Sequence, residues 1–173
     1  MSIAIFYGST TGNTEAAAHK IKEALGDHVT FMGDIADTTP DDLNNYDVLI
    51  FGIPTWDVGE LQYDWEEFIP DMHELDLSGK TIALFGLGDS FGYSNNYLDA
   101  IGLLWEELKV LGSPKLVGVW PTEGYTFDES KGLHDDKHFL GLGLDEENES
   151  DMHDERIKGW TDKIKAELGL SAA

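Results

Sequence analysis

Short apolar runs alternate along the chain with segments in which apolar residues recur every three or four positions. The runs that have the length of a strand are residues 3–7, 29–32, 46–53, 80–87 and 116–119. The third and fourth are apolar nearly throughout, as expected of strands buried on both faces of a parallel sheet. Helical periodicity is clearest in Leu98, Ile101, Leu104 and Leu108,. Strands alternating with helices predict an α/β fold, a doubly wound parallel sheet inside a three-layer sandwich.

Polar loops follow the first, third and fourth predicted strands. They occupy residues 8–14, 54–59 and 88–96. In a doubly wound sheet these loops lie at the carboxyl edge of the strands, where such folds bind their ligands. Their convergence predicts a single ligand site to which all three loops contribute.

The first loop has the composition of a phosphate site. It leads into a predicted helix N-terminus, which offers unpaired N–H groups and the positive end of the helix dipole. It contains neither lysine nor the G-x-G-x-x-G spacing, so it matches neither nucleoside-triphosphate nor dinucleotide loops,. The remaining neutral cradle, suited to a terminal monophosphate, consists of backbone amides and the hydroxyls of Ser9, Thr10, Thr11 and Thr14. The alternative is a helix cap without a ligand, since serine and threonine are good caps.

The other two loops each carry an aromatic residue, Trp56 in one and Tyr93 in the other. Two rings beside a phosphate site can sandwich a planar heterocycle. The alternative for each ring is that it only packs its loop against the core. Together with the phosphate loop, the two rings favour a ligand that has both a phosphate and a flat ring.

The charge of the chain is strongly negative, with 34 acidic residues, 11 basic residues and a formal net charge of −23. No lysine or arginine occurs from residue 23 through residue 79. Direct binding of nucleic acid is therefore disfavoured, as is binding of an anionic membrane, because both need cationic side chains. The charge is compatible with a role in solubility and with steering toward basic partner proteins.

Other features of the composition narrow the chemistry. With 173 residues the chain is large enough for one domain with a proper core,. No apolar run approaches the ~20 residues of a membrane span, and no signal-peptide layout is present, so we expect a cytoplasmic protein. The chain has no cysteine, so redox chemistry requires a bound cofactor. We find no catalytic triad or metal cluster; His134 and His138 either bind a metal adventitiously or are surface histidines.

One segment interrupts the alternation of strands and helices. Residues 120–143 are too long for an ordinary connection of about 2–6 residues. They include Trp120, Tyr125, Phe127 and Phe139, and this aromatic content favours an ordered, packed excursion over a disordered one. The functional alternative is a flap that docks a partner protein.

These loops together resemble the flavodoxin family. The phosphate loop, the Pro54-Thr55-Trp56 loop, the loop of residues 88–93 and the stretch 141–145 match the family in order and spacing. The resemblance runs from residue 3 to residue 170, and residues 120–143 look like the insertion of the long-chain subgroup, which splits the last strand. It implies one flavodoxin-like domain over residues 1–173, a five-stranded sheet in the order 2-1-3-4-5, and one non-covalently bound FMN.

The resemblance also implies a role for each loop. The first loop holds the phosphate, and Trp56 and Tyr93 cover opposite faces of the isoalloxazine. Backbone groups after the fourth strand contact the pyrimidine end. The peptide between Asp57 and Val58 matches the one whose carbonyl turns toward flavin N5–H in the reduced states. The implied cofactor-binding residues are Ser9, Thr10, Thr11, Gly12, Asn13 and Thr14 for the phosphate, Pro54, Thr55, Trp56, Asp57, Val58, Gly59, Leu87, Gly88, Asp89 and Tyr93 around the ring, and Asn96 and Asp145 nearer the ribityl chain.

By this resemblance the chain is an electron-transfer protein rather than an enzyme. It is expected to be a monomeric, low-potential one-electron carrier between a basic-surfaced reductase, such as ferredoxin/flavodoxin-NADP reductase, and low-potential acceptor proteins. The alternative is an FMN-dependent quinone reductase of the same overall fold. Such an enzyme needs an open flavin face, whereas Trp56 and Tyr93 are expected to cover both faces. A receiver-type signalling module needs an acidic cluster at the strand ends, where this sequence has glycine, serine, threonine and proline instead.

Overall fold

A parallel sheet forms the middle layer of the computed structural model, which describes residues 1–9, 11–56 and 59–170. Helices cover both faces of the sheet, and short 3-10 turns link several elements. In chain order the strands and α-helices are β1 (Ile3–Tyr7), α1 (Asn13–Leu25), β2 (Val29–Asp34), β3 (Val48–Trp56), β4 (Glu60–Leu61), α2 (Tyr63–Met72), β5 (Thr81–Leu87), α3 (Asp99–Leu108), β6 (Lys115–Val117), β7 (Trp120–Pro121), β8 (Leu133–Asp135), β9 (His138–Phe139), β10 (Leu142–Leu144) and α4 (His153–Leu168).

The order of strands across the sheet is β2, β1, β3 and β5, and both β6 and β10 lie beyond β5. β6 pairs in parallel with residues 81–83 of β5, and β10 pairs in parallel with residues 85–87. The predicted doubly wound sheet with the order 2-1-3-4-5 is therefore confirmed. Its fifth position consists of two short strands that are separated in sequence.

The two faces of the sheet bury separate sets of apolar side chains, as strand alternation requires. Ala4 and Phe6 of β1 pack in the cluster that contains α2 and α3. Ile3, Ile5 and Tyr7 of the same strand pack in the cluster that contains α1 and α4. The central strands are thus covered on both sides, which explains their nearly continuous apolar sequences.

Strand β3 is longer than the sequence analysis predicted. Residues 54–59 were expected to form a loop, but β3 continues to Trp56. Its parallel partner β5 reaches only as far as Pro54, and β4 then pairs with β3 in antiparallel fashion, with Thr55 opposite Leu61. The hairpin supplies backbone hydrogen bonds beyond the end of the parallel ladder, so Trp56 is carried on a strand. Residues 57 and 58 lie outside the described residues.

Residues 118–141 leave the main sheet between β6 and β10. Within this segment β7, β9 and β8 form a small antiparallel sheet. The ring of buried Tyr97 has its centroid 6.2 Å from that of Tyr125 and 5.8 Å from that of Phe139. The guanidinium of Arg156, from α4, lies 3.9 Å from the centroid of the Tyr125 ring. The segment is therefore ordered and anchored to the core by aromatic and cation–π contacts.

None of the helices in the described part of the chain has the combined length and apolarity that crossing a membrane requires. Over the same residues, no three histidine, aspartate or glutamate side chains are grouped so that they could hold a metal ion. His138 instead pairs with Asp135, with 2.9 Å between Nδ1 and Oδ1.

Candidate ligand site at the carboxyl edge

A cavity of about 230 Å³ opens at the carboxyl edge of the sheet. Its walls lie at the ends of four strands, β1, β3, β5 and β10. The three polar loops therefore meet there with a fourth segment, the one that follows β10. The residues that line the cavity are Thr11, Asn13, Thr14, Pro54, Thr55, Trp56, Leu87, Gly88, Asp89, Tyr93, Glu146 and Glu147.

The loop after β1 delivers the N-terminus of α1 to this cavity. Gly12 precedes the helix with φ 90°, a left-handed conformation that glycine adopts without strain,. The Ser9 hydroxyl accepts a hydrogen bond of 3.0 Å from the Gly12 amide and so shapes the loop. No side chain among the described residues caps the helix end, and Thr14 in its first turn is only 2% exposed. The amides and dipole of this uncapped end favour an anion.

Two aromatic rings line the cavity, one from the end of β3 and one from the turn after β5. Trp56 comes from the β3–β4 hairpin, and Tyr93 follows β5 and is 41% exposed. The indole Nε1 of Trp56 is buried and has no hydrogen-bond partner within the described part of the chain. A buried donor without a partner is destabilising, so a ligand acceptor at this position would remove a penalty. The neighbouring Thr55 hydroxyl accepts from the Ala100 amide at 2.9 Å, which ties the hairpin to α3.

Asp89 organises the turn that follows β5. Its Oδ1 accepts hydrogen bonds from the Phe91 amide at 3.1 Å, the Gly92 amide at 2.6 Å and the Asn148 side chain at 2.8 Å. Burial raises the pKa of Asp89, but the hydrogen bonds from Gly92, Asn148 and Phe91 outweigh it, so the pKa lies below its ordinary value,. Asp89 therefore places a negative charge beside the cavity at neutral pH.

Two of the expected site residues direct their polar groups to the protein instead of the cavity. Asp145 is fully buried and accepts from the Ser90 amide at 2.9 Å and the Ser90 hydroxyl at 2.5 Å. The side-chain Nδ2 of Asn96 donates to Oδ2 of Asp99 at 3.0 Å. The expected residues that lie in the loops without lining the cavity are Ser9, Gly12 and Gly59, and those outside the described residues are Thr10, Asp57 and Val58.

Glu146 and Glu147 line the cavity, and sequence analysis missed both. They follow β10 directly, at the same edge of the sheet as the other three loops. The Oε2 atom of Glu146 lies 3.3 Å from Nδ1 of buried His153, at the start of α4. The sequence signal for both residues is the acidic run that continues past Asp145.

The fold and the site together define a class of protein. It is a doubly wound α/β protein whose ligand cavity at the carboxyl edge combines an uncapped helix N-terminus with two aromatic rings. The chain matches the sequence model of the flavodoxin family over residues 5–160. The chain therefore belongs to the flavodoxin family.

Relatives cover nearly the whole chain. A flavodoxin from Synechocystis sp. is 50% identical over 164 residues, which are 94% of this chain and 95% of the relative. Flavodoxin 1 of Escherichia coli is 46% identical over 166 residues, covering 96% and 94% of the two chains. Among solved structures, a Fusobacterium nucleatum flavodoxin bound to flavin mononucleotide superimposes with a TM-score of 0.88 at 30% identity, covering 96% of this chain and 98% of that one.

Proposed function

We propose that this protein is a one-electron carrier of low potential that uses non-covalently bound FMN. The observation that carries the proposal is the cavity, which the N-terminus of α1 and two aromatic rings line together. Membership of a family of electron-transfer flavoproteins supports it, as does the FMN-bound relative with the same fold.

The residues present fit the phosphate of FMN. The N-terminus of α1 offers amides and a positive dipole end, and Thr11, Asn13 and Thr14 line the adjoining wall,. The indole N–H of Trp56, which has no partner among the described residues, is a further donor at the same cavity. These donors are neutral, so they can hold a phosphate while the chain keeps its overall negative charge.

The residues present also fit the isoalloxazine. Trp56 ends β3 and Tyr93 lies in the turn after β5, which permits one ring on each face of the flavin,. Leu87, Gly88 and Asp89 form the wall beside them, and their backbone groups are suited to the polar pyrimidine end. Asp57 and Val58, which the family resemblance also assigns to the flavin ring, lie outside the described residues.

Bound FMN would supply the redox chemistry, and the protein would tune its potential. Three acidic residues line the cavity: Asp89, Glu146 and Glu147. One carboxylate about 10 Å away disfavours an added negative charge by ~0.4 kcal/mol in water, which is roughly 20 mV for a one-electron couple. Several such groups would lower the potential by tens of millivolts, and the two covering rings would exclude water.

Charge supports the proposed partners. The net charge of −23 and the absence of lysine and arginine between residues 23 and 79 suit docking to basic surfaces,. We infer that a basic-surfaced reductase of the ferredoxin/flavodoxin-NADP type donates electrons and that low-potential redox proteins accept them. The protein would act as a monomer in the cytoplasm, because each encounter needs an open flavin edge and a diffusing carrier.

The test is an absorption spectrum recorded while the FMN-loaded protein is reduced stepwise with dithionite under argon. We expect a long-wavelength band that rises and then disappears, because one-electron transfer requires a stabilised half-reduced state. Direct bleaching without this band, together with steady NAD(P)H–quinone turnover, would favour the quinone-reductase alternative. A protein that takes up no FMN would contradict both functions.

A further inference from the structure

One wall of the cavity is built from two segments that are distant in sequence. The turn after β5 contributes Gly88, Asp89 and Tyr93, and the segment after β10 contributes Glu146 and Glu147. The Gly88 amide donates to the carbonyl of Leu144 at 3.1 Å, which continues the ladder between β5 and β10. Beyond that point the two segments need side chains to hold them together.

Asp145 supplies most of the connection. Its Oδ2 accepts from the Ser90 amide at 2.9 Å, the Ser90 hydroxyl at 2.5 Å and the Asn148 side-chain amide at 2.8 Å. Its Oδ1 accepts from the Asn148 backbone amide at 3.0 Å. Four hydrogen bonds from the protein thus reach this carboxylate, three on Oδ2 and one on Oδ1. Asp145 is also fully buried, which leaves it no role as a direct ligand of FMN.

Asn148 extends the connection to the turn itself. Its Nδ2 donates both to Asp145 and to Oδ1 of Asp89, each at 2.8 Å. The same Asp89 oxygen accepts from the amides of Phe91 and Gly92. A continuous chain of hydrogen bonds therefore runs from the end of β10 to the turn that carries Tyr93. We call Asp145, Asn148, Ser90 and Asp89 the rim latch.

We propose that Asp145 and Asn148 are positioning residues, which act through the rim latch to hold the turn at residues 88–93 against the ring end of the flavin. This inference rests on the proposed function. The rim latch belongs to the wall formed by the turn after β5 and the segment after β10. Within the described part of the chain it makes no hydrogen bond to the phosphate loop, residues 8–14. Loosening it should therefore weaken the binding of the isoalloxazine and leave phosphate binding unchanged.

The experiment compares Asn148→Ala, Asn148→Asp and Asp145→Asn with the wild type. Dissociation constants are measured for FMN and for riboflavin, which lacks the phosphate, by the quenching of flavin fluorescence. Binding of inorganic phosphate to the apoprotein is measured by calorimetry. Asn148 is exposed, so its variants should fold even where Asp145→Asn does not.

We expect Asn148→Ala to weaken FMN and riboflavin binding by the same factor, about tenfold, because two positioning hydrogen bonds are lost. Asn148→Asp keeps the size of the side chain but replaces the donor with a third carboxylate beside Asp89 and Asp145. It should therefore weaken both flavins more than alanine does. Inorganic phosphate should bind each variant within about twofold of the wild type, a result that a general loss of structure would not give.

Asp47→Asn is the matched control. Asp47 accepts from the Ser2 amide at 3.0 Å and the Ser2 hydroxyl at 3.2 Å, the same chemistry as the Asp145–Ser90 contact, but just before β3 at the amino edge of the sheet. It should change neither flavin affinity. The proposal is overturned if the Asn148 variants bind both flavins like the wild type, or if only FMN is weakened. A wild type that binds neither flavin refutes the proposed function, and the latch proposal with it.

Discussion

Replacing Thr14 with valine is expected to weaken FMN binding by about 10- to 100-fold and to leave riboflavin binding within about twofold of the wild type. The side chain lies in the first turn of α1, is 2% exposed and lines the cavity. Valine keeps its shape but removes the hydroxyl donor. A hydrogen bond to a charged group contributes about 1.5–3 kcal/mol, which corresponds to roughly one to two decades in affinity.

Thr161→Val is the control for this substitution. Thr161 is 1% exposed and lies on α4, where its hydroxyl donates to the Ile157 carbonyl at 2.8 Å, within its own helix. The same change in chemistry is therefore made at a residue that does not line the cavity, and both flavins should bind as they do to the wild type. Equal weakening of FMN and riboflavin by Thr14→Val would contradict the assignment of the phosphate to the N-terminus of α1.

The fold is predictable from the sequence because its central strands are unambiguous. Residues 46–53 and 80–87 are apolar almost throughout, and the helices between strands carry clear helical periodicity. Once strands and helices alternate, right-handed crossovers place the loops after successive strands at one edge. The meeting of the three polar loops follows from that rule, without any information on individual contacts.

The end of β3 could not be predicted in the same way. A proline within a run normally argues against a strand interior, and Pro54 comes directly after the apolar residues. The pairing that extends the strand involves only Thr55 with Leu61 and Trp56 with Glu60. Two residue pairs are too few to produce a detectable alternation of apolar and polar residues in the sequence. The hairpin that carries Trp56 is therefore visible only in the structure.

The role of Asp145 could not be predicted either, because its partners are remote. The hydrogen bonds from Ser90 join residues 55 positions apart, and no local spacing signals such a contact. The resemblance places Asp145 near the ribityl chain, whereas in the structure its carboxylate accepts four hydrogen bonds from the protein. Glu146 and Glu147, its exposed neighbours, line the cavity instead. The difference between Asp145 and the two glutamates is one of burial, which cannot be read from the sequence alone.

Replacing Gly141 with alanine is expected to lower the free energy of unfolding of the apoprotein by about 3 kcal/mol or more. A Cβ at this position would lie 1.9 Å from the carbonyl oxygen of Leu84 and 2.6 Å from its carbonyl carbon. Both atoms belong to the backbone of β5, so no rotamer change relieves the overlap. The chain at Gly141 must move away from β5, which pulls on β10 and the cavity wall that follows it. Chemical denaturation of the apoprotein measures the loss.

Gly159→Ala is the control, because it makes the same change beside a side chain that can move. Its Cβ would lie 2.9 Å from the outer edge of the Trp120 ring, a side chain on β7. Alanine also favours a helix interior over glycine by about 1 kcal/mol, so the two effects oppose each other and the net change should stay within about 1 kcal/mol. A similarly small loss for Gly141→Ala would mean that β10 is not held tightly against β5. Since β10 leads directly into the rim latch, a large loss at Gly141 should be accompanied by weaker binding of FMN and riboflavin alike.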